Sequence, residues 1–371
     1  MTKKITVAIL FGGKSAEHEV SLQSAKNVYE AIDKSKFDVV LIGIDKGGLW
    51  HLNDAEKFLL NSDDPKLIKL RNIPGNLALV PGEKNSQLVK TSDSHSIGKI
   101  DVVFPILHGP FGEDGTIQGL LKLANVPFVG ASVLGSAVGM DKDVMKRLLR
   151  DAGIPIGDFL TFNFHEKANI KLAKIVEFIG LPFFVKPANL GSSVGINRVS
   201  NKSEFGFAIR EAFKYDTKIL VEENMPGREI ECSVLGNEDP IASVPGEIVT
   251  DSVYHKFYSY DAKYIDNSGA TLQIPADLPP DITQQVQELA IKTFKVLCCE
   301  GMARIDFFLK KNNQLFVNEL NSIPGFTRIS MYPKLWEASG ISYTELITRL
   351  IELALQRFEN EKKLRTSVEL K

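Results

Sequence analysis

Residues 302–321 read MARIDFFLKKNNQLFVNELN, two apolar runs separated by Lys311, Asn312, Asn313 and Gln314. Asn tolerates positive φ, so Asn312-Asn313 predicts a two-residue hairpin turn, and the register follows from it. Asp306 then stands opposite Glu319, and Arg304 opposite Asn321. The period of two along a strand puts all four side chains on one face. Two opposed carboxylates about 5 Å apart destabilise a bare sheet. Two arrangements reverse that sign. One is a divalent cation, since carboxylate and amide oxygens are hard ligands that suit magnesium or manganese beside phosphate and do not suit zinc. The other is a wet sheet face on which Arg304 forms a salt bridge to one of the acids.

Composition narrows the classes of function. At 371 residues, 44% hydrophobic and 24% charged, the chain fits two or three globular domains. A net charge of -2 leaves no basic footprint for nucleic acid, and no window is apolar for long enough to span a membrane. Small molecules are the expected partners. The start, MTKKITVAILFGG, has a basic pair and a short apolar run but no small-residue cleavage site, so it reads as a first strand and the expected location is the cytoplasm. Cys232, Cys298 and Cys299 match no metal or redox spacing and are expected to be packed thiols.

The texture of the chain changes twice. Strands (ITVAILF, FDVVLIGID, DVVFPIL) alternate with helices (EVSLQSAKNVYEAI, DGTIQGLLKLA) up to about Gly139, the pattern of an open, mostly parallel α/β sheet. A helix capped by Asp141 and stopped at Gly153 marks the first boundary. A small α+β unit follows, with FFVKPA, a Gly-Ser loop, the helix SEFGFAIREAF and the strand KILVEE. After Met225-Pro226-Gly227 come longer strands, the helix DITQQVQELAIKTFKVL, the hairpin and a last helix YTELITRLIELALQRF. The expected division is 1–140, 141–226 and 227–371. The segment from about Thr250 to Gln273 has little regular pattern and is longer than most connections, so it suggests a lid.

Two further stretches bear on chemistry. In KPANLGSSVGINRV, Gly191, Ser192, Ser193 and Gly195 offer amides and hydroxyls to phosphate oxygens, and Lys186 supplies a charge for the same group; alone, such a loop is equally a flexible turn. It lacks the Gly-Lys-Ser/Thr spacing of the Walker pattern. In ILVEENMPGREIECSVLG, Glu222, Glu223 and Glu229 beside Met225 suit adenine and ribose, or are simply turn acids in water.

Taken together, GGKSAEHEVSL, FPILHGPFGEDGTIQGLL, GMDK, VKPANLGSSVG, LVEENMPGREIECSVLG, FYSYDAKY, GMARIDFF and VNELNSIPGFTRISMYPKLW resemble, in order and nearly end to end, the D-alanine-D-alanine ligase family of the ATP-grasp superfamily. The resemblance implies a three-domain ATP-grasp architecture and ligation of two D-alanine molecules, with ATP phosphorylating the first carboxylate and the second amine attacking the acyl phosphate, for peptidoglycan precursor synthesis. Catalysis of that kind rests on positioning and charge neutralisation, which calls for cations and few nucleophiles.

Residue by residue, the resemblance implies that Lys142 and Lys186 hold ATP phosphates with Ser192, Ser193 and Lys263. Glu222, Met225 and Glu229 surround adenosine, and backbone groups of Glu223 and Asn224 meet the adenine edge. Asp306, Glu319 and Asn321 hold two magnesium (or manganese) ions. Glu17 takes the first ammonium, or is only a helix-start acid favoured by the dipole. Arg304 and the Gly325 amide meet the tetrahedral oxyanion; Lys263, Ser330 and Met331 meet the second substrate. His108 is an auxiliary residue near the first substrate or a hydrogen-bonded structural histidine. Tyr264, joined to Glu17 and Ser192, goes in this family with peptide formation, where Phe goes with D-lactate. Met331 and Arg328 vary from some members. A homodimer is expected from the resemblance. The rivals are a D-alanyl-D-lactate ligase, another ATP-grasp carboxylate-amine ligase, and a non-catalytic nucleotide-binding regulator.

Overall fold

The computed structural model describes residues 3–55, 57–62, 64, 67–71, 76–85, 87–250, 270–365 and 367. Its first sheet has the order β3-β2-β1-β8, built from β1 (Ile5–Gly12), β2 (Phe37–Ile44), β3 (Trp50–Asn53) and β8 (Val102–Ile106). β1 runs parallel to β2 and β8, and only β3 is antiparallel. Parallel strands covered on both faces are apolar throughout, and Val7, Ala8, Ile9, Leu10 and Phe11 are all buried. Helix α1 (His18–Ala31) follows β1, and α2 (Thr116–Leu123) follows β8. Between β3 and β8 the chain forms two short ribbons, β4 (Leu59–Leu60) with β5 (Lys69–Leu70) and β6 (Leu77–Leu79) with β7 (Leu88–Lys90), which sequence reading does not anticipate.

A second, antiparallel sheet has the order β11-β10-β12-β9, from β9 (Phe159–Asn163), β10 (Phe183–Pro187), β11 (Asn197–Val199) and β12 (Lys218–Glu223). Helices α5 (Leu172–Phe178) and α6 (Lys202–Ala212) cover it, with Ile175, Ala208 and Ile209 on Phe183, Val185 and Val221. Ahead of it, α3 (Val133–Met140) leads into α4 (Lys142–Asp151). The cap is as expected: the Asp141 carboxylate accepts from the amides of Asp143 and Val144. Met145 and Leu149 of α4 nevertheless pack in the core of the third sheet, so helix α4 is tied by packing to that sheet.

The third sheet holds β13 (Arg228–Gly236), β14 (Ile241–Ala242), β15 (Gly246–Thr250), β16 (Ala270–Gln273), β17 (Gly301–Leu309) and β18 (Leu315–Asn321), with α7 (Pro280–Val296) on its back. β15 and β16 pair as far as Thr250 and Ala270, so regular strand extends into both ends of the segment expected to be a lid; its middle lies outside the described residues. Helices α8 (Met331–Ala338) and α9 (Tyr343–Glu361) close the chain, and Tyr332, Trp336, Leu346 and Leu350 share one core with Val7 and Phe104 of the first sheet and with Val129. Buried Arg357 of α9 donates to the carbonyls of Gly130 and Phe128.

The hairpin corrects one expectation. Its turn is not the two-residue Asn312-Asn313 loop: the Lys310 amide donates to the Gln314 carbonyl and Asn313 takes φ 62, so three residues form the loop. Leu309 therefore pairs with Leu315, one step away from the expected register. A bulge opposite Asp306 and Phe307 takes up an extra residue, Asn318, and restores the pairs Asp306 with Glu319 and Arg304 with Asn321. The cysteine expectation fails in part, since Cys232 and Cys299 are buried but Cys298 is exposed just past the end of α7. Burial pushes the Cys232 thiol up to about 12. Among the described residues no helix is long and apolar enough to cross a membrane.

Candidate active site

Three sheets meet at one cleft, lined by Glu17, His108 and Glu113 from the first, Gly191 and Ser192 from the second, and Arg304, Glu319, Asn321, Gly325, Ser330 and Met331 from the third. Glu17 stands at the N-cap of α1 but makes no side-chain cap bond; its carboxylate instead accepts from the Ser192 hydroxyl across 175 residues. The simple helix-start reading of Glu17 is therefore insufficient. Room for it comes from Gly109, at φ +72, where a Cβ would lie 2.5 Å from Glu17 Oε2. The Ser15 hydroxyl donates to the His108 carbonyl at 2.6 Å and ties the two loops together.

His108 is buried. Its Nδ1 donates to the Ile323 carbonyl at 3.0 Å, and Nε2 lies 3.2 Å from the Ser24 hydroxyl. Burial opposes its charge, but the Glu113 carboxylate 3.8 Å from Nδ1, the charge of Glu17 and the Ile323 carbonyl together raise its pKa above the ordinary value. Burial, reinforced by Glu17, pushes the Glu113 carboxyl up despite His108. His108 thus braces the wall of the cleft that it also lines.

Beside the Gly-Ser loop lies a knot of alternating charge. Lys142, first residue of α4, donates to the Leu190 carbonyl at 2.8 Å and lies 3.5 Å from Glu319 Oε2, so it joins the Gly-Ser loop to the hairpin. Lys186 is ion-paired to Glu222, whose other oxygen is 3.5 Å from Lys146. Burial opposes the charge of Glu222, but Lys146 and Lys186 hold its carboxyl below the ordinary range. Lys146, 2% exposed, has its pKa lowered by burial and by Lys186 against the pull of Glu222. In the Gly-Ser loop, Ser192 and Ser193 both take positive φ, 50 and 61, an uncommon conformation for non-glycine residues that clusters at functional sites.

The Glu223 amide donates to the Asp158 carbonyl and its carboxylate accepts from the Asp158 amide, so its N–H is already engaged within the fold. Met225 reaches Gly157, where a Cβ would fall 2.4 Å from its methyl carbon. Asn224 follows the end of β12, and Glu229 lies on β13 opposite Phe308.

On the hairpin, Arg304 chelates Asp306 with Nε to Oδ1 at 2.7 Å and Nη2 to Oδ2 at 2.8 Å, and Asn321 Nδ2 donates to Asp306 Oδ2 at 3.0 Å. The salt-bridge arrangement is thus the one the chain adopts by itself. The donor set still fits a hard cation, because two carboxylates and an amide oxygen, with no sulfur or imidazole, share one face at the cleft. Ser330 and Met331 begin α8 at the cleft wall; the Ser330 hydroxyl, bonded to Thr327, leaves the helix start without a side-chain cap. Arg328 pairs with Glu30 at 3.1 Å.

Lys263 and Tyr264 lie outside the described residues. Sequence reading missed Lys146, Glu113 and Glu231. Lys146 carries a signal in hindsight, four residues from Lys142 on one helix face. Glu231 carries one too, in the alternation Glu229, Glu231, Ser233 between buried Ile230, Cys232 and Val234.

The chain is similar to known proteins along nearly its whole length. Residues 6–131 match the family model for the D-ala D-ala ligase N-terminus, and residues 148–352 the model for the D-ala D-ala ligase C-terminus. A D-alanine-D-alanine ligase of Shouchella clausii is 57% identical over 368 residues, 99% of each chain. The solved D-alanine-D-alanine ligase of Coxiella burnetii superposes with a TM-score of 0.82 at 40% identity, covering 98% of this chain and 97% of that one. The VanG D-Ala:D-Ser ligase of Enterococcus faecalis gives 0.81 at 35% identity over 95% of this chain and all of that one.

Proposed function

Because the chain belongs to the D-alanine-D-alanine ligase family, we propose that it joins two D-alanine molecules into D-alanyl-D-alanine through a D-alanyl phosphate, converting ATP to ADP and phosphate. The observation that carries this reading is the convergence of Glu17, Ser192, Arg304 and the Asp306/Glu319 pair on one cleft from three sheets.

Lys142 and Lys186 hold the ATP phosphates, with the Ser192 and Ser193 loop over them; Glu222 keeps Lys186 in place between turnovers. Glu222, Met225 and Glu229 surround adenosine, with Asn224 and the Glu223 carbonyl at its edge. Asp306, Glu319 and Asn321 would hold two magnesium or manganese ions, which neutralise phosphate charge when bound. The Glu17 carboxylate takes the ammonium of the first D-alanine, oriented by Ser192 and, in the family's pattern, by Tyr264. Arg304 and the Gly325 amide stabilise the oxyanion that forms as the second amine attacks. The amides at the start of α8, which carry no side-chain cap, receive the second carboxylate with Ser330, Met331 and Lys263, as helix N-termini receive anions.

The lid, the cytoplasmic location, the homodimer and the three-domain division belong to the same reading. The VanG likeness keeps the acceptor open to test. The experiment is phosphate release from ATP and magnesium with D-alanine, L-alanine, D-lactate or D-serine as substrates. Turnover that requires D-alanine, with the dipeptide as product, is expected, and loss of turnover with a retained fold is expected for Glu319→Ala. Dipeptide formation at the normal rate by that variant overturns the metal assignment; nucleotide binding without phosphate release favours a regulator.

A further inference from the structure

Glu231 has no role in the reading above. It lies on β13 directly opposite Asp306 on β17, which lies opposite Glu319 on β18, so three carboxylates stand in one row across three strands. In the next row Ser233, Arg304 and Asn321 align. Glu231 is 5% exposed, lines the cleft, and its Oε2 is 2.9 Å from Arg304 Nε. A buried carboxylate persists only where it is paired. The guanidinium therefore touches two acids, and it holds Asp306 by both oxygens.

That chelation conflicts with metal binding, since a cation and an N–H donor compete for the same carboxylate lone pairs. When a cation takes Asp306, the guanidinium loses its main partner and is also repelled by the ion. We propose that Glu231 is a positioning residue that takes over the Arg304 guanidinium when a divalent cation occupies Asp306. It keeps Arg304 aimed into the cleft, and it lowers the barrier to metal entry by offering a second seat. The inference deepens the function proposed above and rests on its metal assignment.

The test is Mn2+ titration followed by electron paramagnetic resonance, with ADP present and no turnover, alongside steady-state kinetics. Glu231→Gln keeps the shape and removes the charge, so Arg304 stays on Asp306. Mn2+ affinity is expected to fall about 10-fold, the scale seen for partners that orient metal ligands, with a parallel fall in kcat. In an Arg304→Met background the same substitution should leave Mn2+ affinity within about 2-fold, because the competitor is gone. Glu231→Asp, which keeps the charge but draws it back, should give an intermediate affinity and replaces the Gln variant if that fails to fold. Unchanged Mn2+ affinity in Glu231→Gln overturns the proposal. So does equal weakening with Arg304 removed, which would mean that Glu231 acts on the ion directly. Mn2+ binding that ignores Asp306→Asn is a different failure, that of the metal assignment.

Discussion

Lys146→Met separates two accounts of the buried charge knot. The ammonium lies 3.5 Å from Glu222 Oε1, an attraction of about 5 kcal/mol at an effective dielectric constant near 20. Removing one partner of a buried pair ordinarily costs ~3–5 kcal/mol, because the other charge is left alone. Here it is not left alone, since Lys186 remains on Glu222. Moreover the Lys146 pKa is lowered: burial, with Lys186, outweighs the pull of Glu222, so the charged form sits less comfortably in the fold than in water. An isosteric Met should therefore leave the nucleotide-free protein as stable or raise its Tm by about 1–3 °C. The linkage has a definite sign. Below the ordinary 10.5 the folded protein binds this proton less readily than the unfolded chain, so wild-type stability gains from rising pH in that window and the variant loses the gain. On the proposed reading the charge is kept for ATP, and Kd for ATP should rise about 10-fold, ~1.4 kcal/mol. Differential scanning calorimetry across pH and nucleotide titration measure both. A fall in Tm of roughly 5 °C or more without nucleotide would refute the reasoning, as it would show a pair contributing on the scale of an ordinary buried salt bridge.

Gly109→Ala should raise KM for D-alanine and lower stability together, because the added carbon meets Glu17 Oε2 at 2.5 Å and φ is +72; the double variant Gly109→Ala, Glu17→Ser should regain only the part of the stability lost to that contact, since the backbone strain stays, and no activity. His108 contributes stability that is complete below the ordinary 6.5 and is lost as pH rises through its raised folded pKa. His108→Asn should flatten that part of the thermal stability profile, and an unchanged slope above pH 6.5 would count against the Glu113 pairing.

Where local pattern dictates structure, the fold was legible. The buried run of β1, the Asp141 cap and the periodic helices all appear where expected, because each depends on residues near in sequence. The hairpin shows how a right pairing can follow from a wrong turn. Leu315 and Val317 are in one phase and Leu320 is in the other, and all three are buried, so the apolar pattern slips by one residue between them. That slip is the trace of the bulge at Asn318, visible in the sequence once period two is applied strictly. Glu17 and Ser192 were brought together only by the resemblance, through Tyr264, and Glu231 with Arg304 could not be paired from sequence, since tertiary packing alone makes both contacts. Lys146 went unread because a lysine on an amphipathic helix ordinarily faces water, and here it faces a core.

The shared core of the first sheet with α8 and α9, pinned by Arg357 on the Gly130 and Phe128 carbonyls, makes the two larger parts one block. The Gly-Ser loop is tied to that block by the Ser192 hydroxyl on Glu17 and by the Leu190 carbonyl, which accepts from Lys142. The small sheet is also tied to that block through α4, whose Lys146 reaches Glu222 of β12 and whose Asp143, with the Asp141 cap, holds Lys218 of the same strand. On the proposed reading, an ammonium arriving at Glu17 competes with Ser192 for the same carboxylate, and amino acid occupancy should loosen the Gly-Ser loop.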